Sequence, residues 1–256
     1  MTRLSALPAA CALAALVSAC APAAPFEGVA DRLSLGSGLS AETLEMYDAM
    51  EDEGRTVPAI DPKYLSPSKV RQEVAYFAPY SAGTIVVDPG AKRLYRVLGD
   101  DRAMRYAVAV GAAGYGFSGQ ARVPYTRKWP NWTPTQNMIK REPEKYKPLA
   151  AGLEGGLDNP LGARALYLYR NGRDTLYRIH GTPSPWTVGH DASSGCIRMF
   201  NQDVIHLAEQ VSSGTRVVVL PREDSGKWTS DPDAPAPDAM AGAPDDSLSD
   251  GADDAT

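Results

Sequence analysis

Ala165-Leu-Tyr-Leu-Tyr-Arg-Asn-Gly-Arg-Asp-Thr-Leu-Tyr-Arg-Ile-His180 holds two runs of alternating, Tyr- and Leu-rich sequence separated by Asn171-Gly172. An Asn-Gly pair accepts positive φ at both central positions of a tight turn, so it predicts a hairpin with strands over 165–169 and 175–180. His180 then stands at a strand end, where side chains open onto a surface. The other periodic segments are equally short, rich in Val, Tyr and Leu, and bounded by Gly and Pro. That pattern predicts an all-β sandwich or barrel. One amphipathic helix interrupts it over 201–211, with Asn201 as its cap and Ser213-Gly214 as its stop, and Thr215-Arg-Val-Val-Val-Leu220 returns as a final strand. The polar, proline-rich stretch from Phe117 to Gly156 reads as a long loop outside the core, and is expected to cover the site described next.

From the hairpin the chain runs on as His180-Gly-Thr-Pro-Ser-Pro-Trp-Thr-Val-Gly-His-Asp-Ala-Ser-Ser-Gly-Cys196-Ile-Arg-Met199. A thiol with an ordinary pKa of about 8.5 is only slightly ionised near neutrality, so a nucleophilic cysteine needs a neighbouring base. His180 can be that base for Cys196. Ser194-Gly195-Cys196 gives the thiol a small, flexible approach, with the backbone N–H groups of Gly195 and Cys196 as candidate oxyanion donors. Arg198 could grip a substrate carboxylate or make a structural ion pair. His190 reads as a solvated loop residue and His206 as a helix-surface residue. With one cysteine and two histidines near the site, no metal cluster and no cofactor are expected.

The stretch resembles the signature of the L,D-transpeptidase catalytic domain, also called the YkuD domain, of bacterial peptidoglycan metabolism. His180-Gly181, Gly189, Ser193-Ser194-Gly195-Cys196 and Ile197-Arg198-Met199 fill the places of the family pattern. Many members carry a second histidine where this chain has Ser194. Gly83-Thr-Ile-Val-Val-Asp88, Arg93-Leu-Tyr-Arg-Val97 and Tyr106-Ala-Val-Ala-Val-Gly111 look like the domain's opening strands. Lys128-Trp-Pro-Asn-Trp-Thr-Pro134 looks like a tryptophan-rich substrate loop, which makes Trp129 and Trp132, with Ser194 and Arg198, candidate substrate contacts; packing is the other reading of the two tryptophans. The match spans about residues 74–220.

The resemblance implies a mainly β, L,D-transpeptidase-like sandwich or barrel with one or two short helices and a long substrate loop. It also implies two-step acyl transfer by Cys196 and His180, with the Gly181 carbonyl orienting the imidazole. The donor would be a peptidoglycan stem tetrapeptide. The acceptor could be a second stem, a lysine of an outer-membrane protein, or water. Two other readings stay open: a wall-binding lipoprotein without catalysis, and a cysteine hydrolase of unrelated substrate.

The termini bear on location. Met1-Thr-Arg3 followed by a mostly apolar run from Leu4 to Val17 has the form of a signal peptide over residues 1–19, too short for a comfortable membrane span. Val17-Ser-Ala-Cys20 resembles a lipobox, with Cys20 as the lipidated residue and Ala21 next to it resembling lipoproteins passed to the outer membrane. The expectation is a periplasmic, lipid-anchored protein. Of three cysteines, Cys11 would leave with the signal and Cys20 would be acylated, so Cys196 would have no disulfide partner in an oxidising compartment. Residues 20–73 read as a tether, 74–221 as the catalytic domain and 222–256 as a disordered acidic tail. The tail carries ten acidic and two basic residues, net −8, against −5 for all 256 residues. The remainder is mildly basic at +3, which suits an anionic wall polymer, and no nucleic-acid motif is present.

Overall fold

A computed structural model describes residues 38–111, 118–192 and 196–229. The signal segment, Cys20, Ser194, Gly195 and the stretch 230–256 lie outside the described residues. The hairpin forms as its turn chemistry requires. Strands β10 (Arg164–Arg170) and β11 (Arg173–His180) pair antiparallel with Arg170 opposite Arg173, and Asn171 (φ 50°) and Gly172 (φ 75°) make the two-residue turn.

Around it are β3 (Gln72–Ala75), β4 (Ile85–Asp88), β5 (Arg93–Gly99), β6 (Arg102–Ala107), β7 (Ala109–Gly111), β8 (Gly119–Val123), β9 (Thr126–Lys128), β12 (Asp191–Ala192), β13 (Ile197–Arg198) and β14 (Thr215–Val219). These strands form one mixed sheet in the order β12-β7-β13-β11-β10-β8-β14-β4-β5-β6-β3, with β9 beside β10. A separate hairpin of β1 (Met50–Asp52) and β2 (Arg55–Val57) precedes them. The sheet folds over on itself. Ile85, Val87 and Leu94 from one half share a single buried cluster with Leu166, Ile179 and Ile197 from the other. The two-residue side-chain period sends Val86, Tyr95 and Val218 to a second cluster on the opposite face. The fold is mainly β, as the residue pattern predicted.

Helices α1 (Ala41–Glu45), α2 (Gln136–Arg141), α3 (Pro143–Tyr146) and α4 (Asn201–Ala208) are short. The predicted helix after the cysteine is α4, but Asn201 is not its cap. Phe200 holds that place, and the buried Asn201 side chain bonds to other elements.

Three sequence expectations change. The tether reading of 20–73 fails over 38–73, where Leu39, Tyr47, Ile60, Leu65 and Val70 pack against Ala107, Val188 and Phe200. Gln202 donates to the carbonyls of Tyr47, Asp48 and Pro58, and Arg164 pairs with Asp52 through two bonds of 2.6 and 2.7 Å. The segment is a structural wrap.

The tail expectation fails over 222–229. Ser225 Oγ and the Gly226 N–H donate to the buried Asp88 carboxylate, and Trp228 packs edge-on against Tyr80. These contacts help to cover the sheet's outer face. The loop from Phe117 to Gly156 is not wholly outside the core either, because it contains β8. That strand pairs with β14 over five positions and buries Ala121 and Val123.

Candidate active site

His180 ends β11, and its neighbour in the sheet is β13, which starts directly after Cys196 and pairs parallel with His180 opposite Arg198. Two segments distant in sequence therefore deliver the thiol and the imidazole to one place. Both line a cleft of about 310 Å³, with Arg198, Thr182 and Pro183 on the sheet side. Met138 and Tyr146 from α2 and α3, with the flanking Trp132 and Leu149, line it too. A larger cleft lies elsewhere on the sheet, but among the described residues it has neither a cysteine nor a histidine.

The imidazole is buried, and Nδ1 lies 2.6 Å from the Gly181 carbonyl oxygen. A carbonyl only accepts, so Nδ1 carries the proton and Nε2 is the ring's lone pair. Burial lowers the His180 pKa to about 4, aided by the charges of Arg198 and Arg178 and opposed by the Gly181 bond. The ring is neutral at physiological pH and able to accept a proton.

Burial also pushes the Cys196 thiol up, although the backbone N–H of Arg178 and the charges of Arg178 and Arg198 pull it down. The cleft thus holds a neutral thiol and a neutral imidazole. In that state the thiol resists stray oxidation better than a standing thiolate would. The thiol also faces the Leu176 carbonyl at 3.9 Å. Leu176 adopts φ 64° within an irregular stretch of β11, where Thr175 Oγ1 bonds the Leu168 carbonyl. The irregularity turns a strand carbonyl toward the sulfur.

Gly181 has a steric as well as an electronic reason to be glycine: a Cβ there would sit 2.1 Å from Asn201 Oδ1. Asn201 joins three elements at this point. Its Oδ1 accepts from the Ala163 N–H at 3.0 Å, and its Nδ2 donates to the Thr182 carbonyl at 3.1 Å. Asn201 thus ties α4 to Ala163, just before β10, and to the Thr182 carbonyl one residue beyond the one that orients His180, while the Gly181 N–H donates to the Arg164 carbonyl at 3.1 Å.

Of the residues singled out in sequence, Cys196, His180, Gly181, Arg198 and Trp132 meet here. Ser194 and Gly195 lie outside the described residues. Trp129 does not reach the cleft: it is buried with Val57, Ala163 and Ile205, and its indole N–H donates to Asp52 at 2.7 Å. Its packing reading is the correct one, because the unforeseen Asp52 offers the polar partner that a buried indole needs. His206 is half-buried rather than on the surface, with Nδ1 2.8 Å from the Tyr106 hydroxyl. His190 sits in a loop, 3.5 Å from Lys69 Nζ. Asn201, Arg178 and Tyr146 had no sequence signal as site residues, since each acts through a fold contact. Among the described residues, no group of three His, Cys, Asp or Glu could hold a metal ion.

A thiol and an oriented imidazole in one cleft on a folded-over β-sheet are the groups a cysteine-nucleophile site needs, and comparison with known proteins narrows the class. The L,D-transpeptidase catalytic domain model matches residues 82–219, so the chain belongs to that family. It is 30% identical over 218 residues to the probable L,D-transpeptidase YbiS of Escherichia coli, covering 82% of this chain and 63% of that protein. It is 34% identical over 152 residues to the probable L,D-transpeptidase ErfK/SrfK of the same species, covering 58% and 47%. The chain thus spans about half to two thirds of these curated relatives. A solved chain from Brucella melitensis, described as a probable carnitine operon oxidoreductase caia, is 47% identical over 62% of this chain and 98% of its own, with a TM-score of 0.43.

Proposed function

We propose that this chain is a peptidoglycan L,D-transpeptidase working by two-step cysteine acyl transfer. The observation that carries the reading is the His180–Gly181 bond, which leaves a neutral base in the cleft that also holds Cys196. The sulfur attacks the carbonyl of the third residue of a stem tetrapeptide while its proton passes to His180 Nε2. Collapse of the tetrahedral adduct breaks the peptide bond, and the imidazolium gives its proton to the departing D-alanine amine. An acceptor amine then attacks the thioester, again losing a proton to His180, and the released sulfur is reprotonated. Arg198, at the cleft wall, supplies positive charge for a substrate carboxylate.

A second stem as acceptor gives 3-3 cross-links, and a protein lysine gives attachment of a protein to the wall. The Val17-Ser-Ala-Cys20 sequence supports a periplasmic protein anchored through lipid on Cys20, facing the wall from the outer membrane. The full chain with tetrapeptide muropeptides should release D-alanine and form 3-3 dimers, and His180→Ala and Cys196→Ala should each abolish both. Binding of muropeptides without release of D-alanine would favour a catalytically silent wall-binding lipoprotein.

A further inference from the structure

The larger cleft, about 500 Å³, lies around the Asn171-Gly172 turn, at the opposite end of β11 from His180. Seven strand steps of about 3.3 Å put it roughly 20 Å from the active site. Arg122, Arg170 and Arg216 line it, and among the described residues no Asp or Glu does. Arg122 and Arg216 are directly opposed in the β8–β14 register. Like charges in that position repel, with Cβ atoms about 5 Å apart, so the arrangement weakens the sheet unless an anion joins them. Neither arginine has a carboxylate partner among the described residues. Arg122 donates to the Gly214 carbonyl at 2.9 Å, which leaves most of its donors over. Arg216 Nε is buried without a hydrogen-bond partner in the described structure.

The chain carries a matching polyanion. Residues 230–256 contain eight Asp and no Lys or Arg. Its point of departure is next to the cleft: Trp228 packs on Tyr80 with ring centroids 5.3 Å apart, and the Arg216 guanidinium lies 5.2 Å from the same Tyr80 ring. Asp231 and Asp233 follow Thr229 by two and four residues, a reach of about 7–14 Å in extended chain. We propose that the arginine cleft is an acidic-peptide site, and that its occupant is this chain's own aspartate-rich segment beginning at Asp231. The short connection gives these carboxylates a high local concentration, so intramolecular binding outcompetes dilute external anions.

Carbodiimide cross-linking of the full chain tests this. Arg122→Lys and Arg216→Lys, made separately, keep the charge and add an amine that condenses with a carboxylate, the carbodiimide taking up the lost water as its urea. Arg122 is exposed, so its replacement leaves packing intact. The Lys128–Glu53 ion pair is a control for both reagent and fold. Trypsin releases residues 228–256 as one fragment, because no Lys or Arg follows Lys227. The expected result is an amide from position 122 or 216 to that fragment within a single chain, independent of dilution and suppressed at high salt. The proposal is overturned by a positive control with no link to the fragment. Links only between two chains, or only to added stem-peptide carboxylates, overturn it too.

Discussion

Asn201 Nδ2 donates to the Thr182 carbonyl, one residue beyond the Gly181 carbonyl that orients the His180 imidazole. The same side chain accepts from the Ala163 N–H, so one amide links α4, the residue before β10 and the segment that follows His180-Gly181. Asn201 touches neither thiol nor imidazole in this structure; it is a positioning residue.

Asn201→Ala should therefore lower kcat at least tenfold with little change in KM, because the imidazole loses its fixed orientation while the cleft keeps its walls. Steady-state D-alanine release checks this. A rise in KM at constant kcat would mean that Asn201 shapes substrate binding instead.

Trp132 lines the cleft that holds Cys196 and His180, its ring tilted against Tyr146 at 6.3 Å between centroids. Trp132→Ala should raise KM for a tetrapeptide donor several-fold and leave the melting temperature nearly unchanged. Trp129→Ala should do the opposite, costing about 3–5 kcal/mol of stability as a buried aromatic lost from the core. Thermal unfolding and KM, measured on both variants, separate the two tryptophans. Similar effects from the two would contradict the assignment.

Much of this architecture was legible because its signals are local. Asn171-Gly172 could hardly be anything but a turn between the flanking runs, and the motif spacing placed His180 and Cys196 together. The misses share a physical cause. Leu39, Tyr47, Ile60, Leu65 and Val70 are spaced irregularly, so no periodicity announces that they are buried. Asp52, Arg164 and Trp129 are explained only by one another, across more than 75 residues. Strand β8 was hidden because Gly119-Gln-Ala-Arg-Val123 alternates small and polar residues within a proline-rich context. Deleting the whole of 117–156 would therefore remove two sheet strands, β8 and β9, along with part of the cleft lining.

Asp203 gives the wrap a pH signature. It is fully buried, accepts from the Tyr47 hydroxyl and from Arg71, and burial raises its pKa to about 6 against the pull of Arg71. A folded-state pKa above the unfolded one means that this group's contribution is complete below about pH 4 and is lost as pH rises through about 6. Asp203→Asn removes the titration. The stability of the variant relative to the parent should thus improve between about pH 4 and pH 7, by on the order of 2 kcal/mol. Urea melts at the two pH values measure the difference. A constant difference would show that Asp203 titrates normally in the fold.

Cys196 is proposed to form a thioester with a stem-peptide donor. Intact-mass measurement of the full chain mixed with a tetrapeptide muropeptide, acceptor withheld, tests this step. The expected adduct equals the donor less D-alanine, sits on the Cys196 peptide and is missing in Cys196→Ala and His180→Ala. A folded, reduced sample that gives no adduct and releases no D-alanine would contradict it.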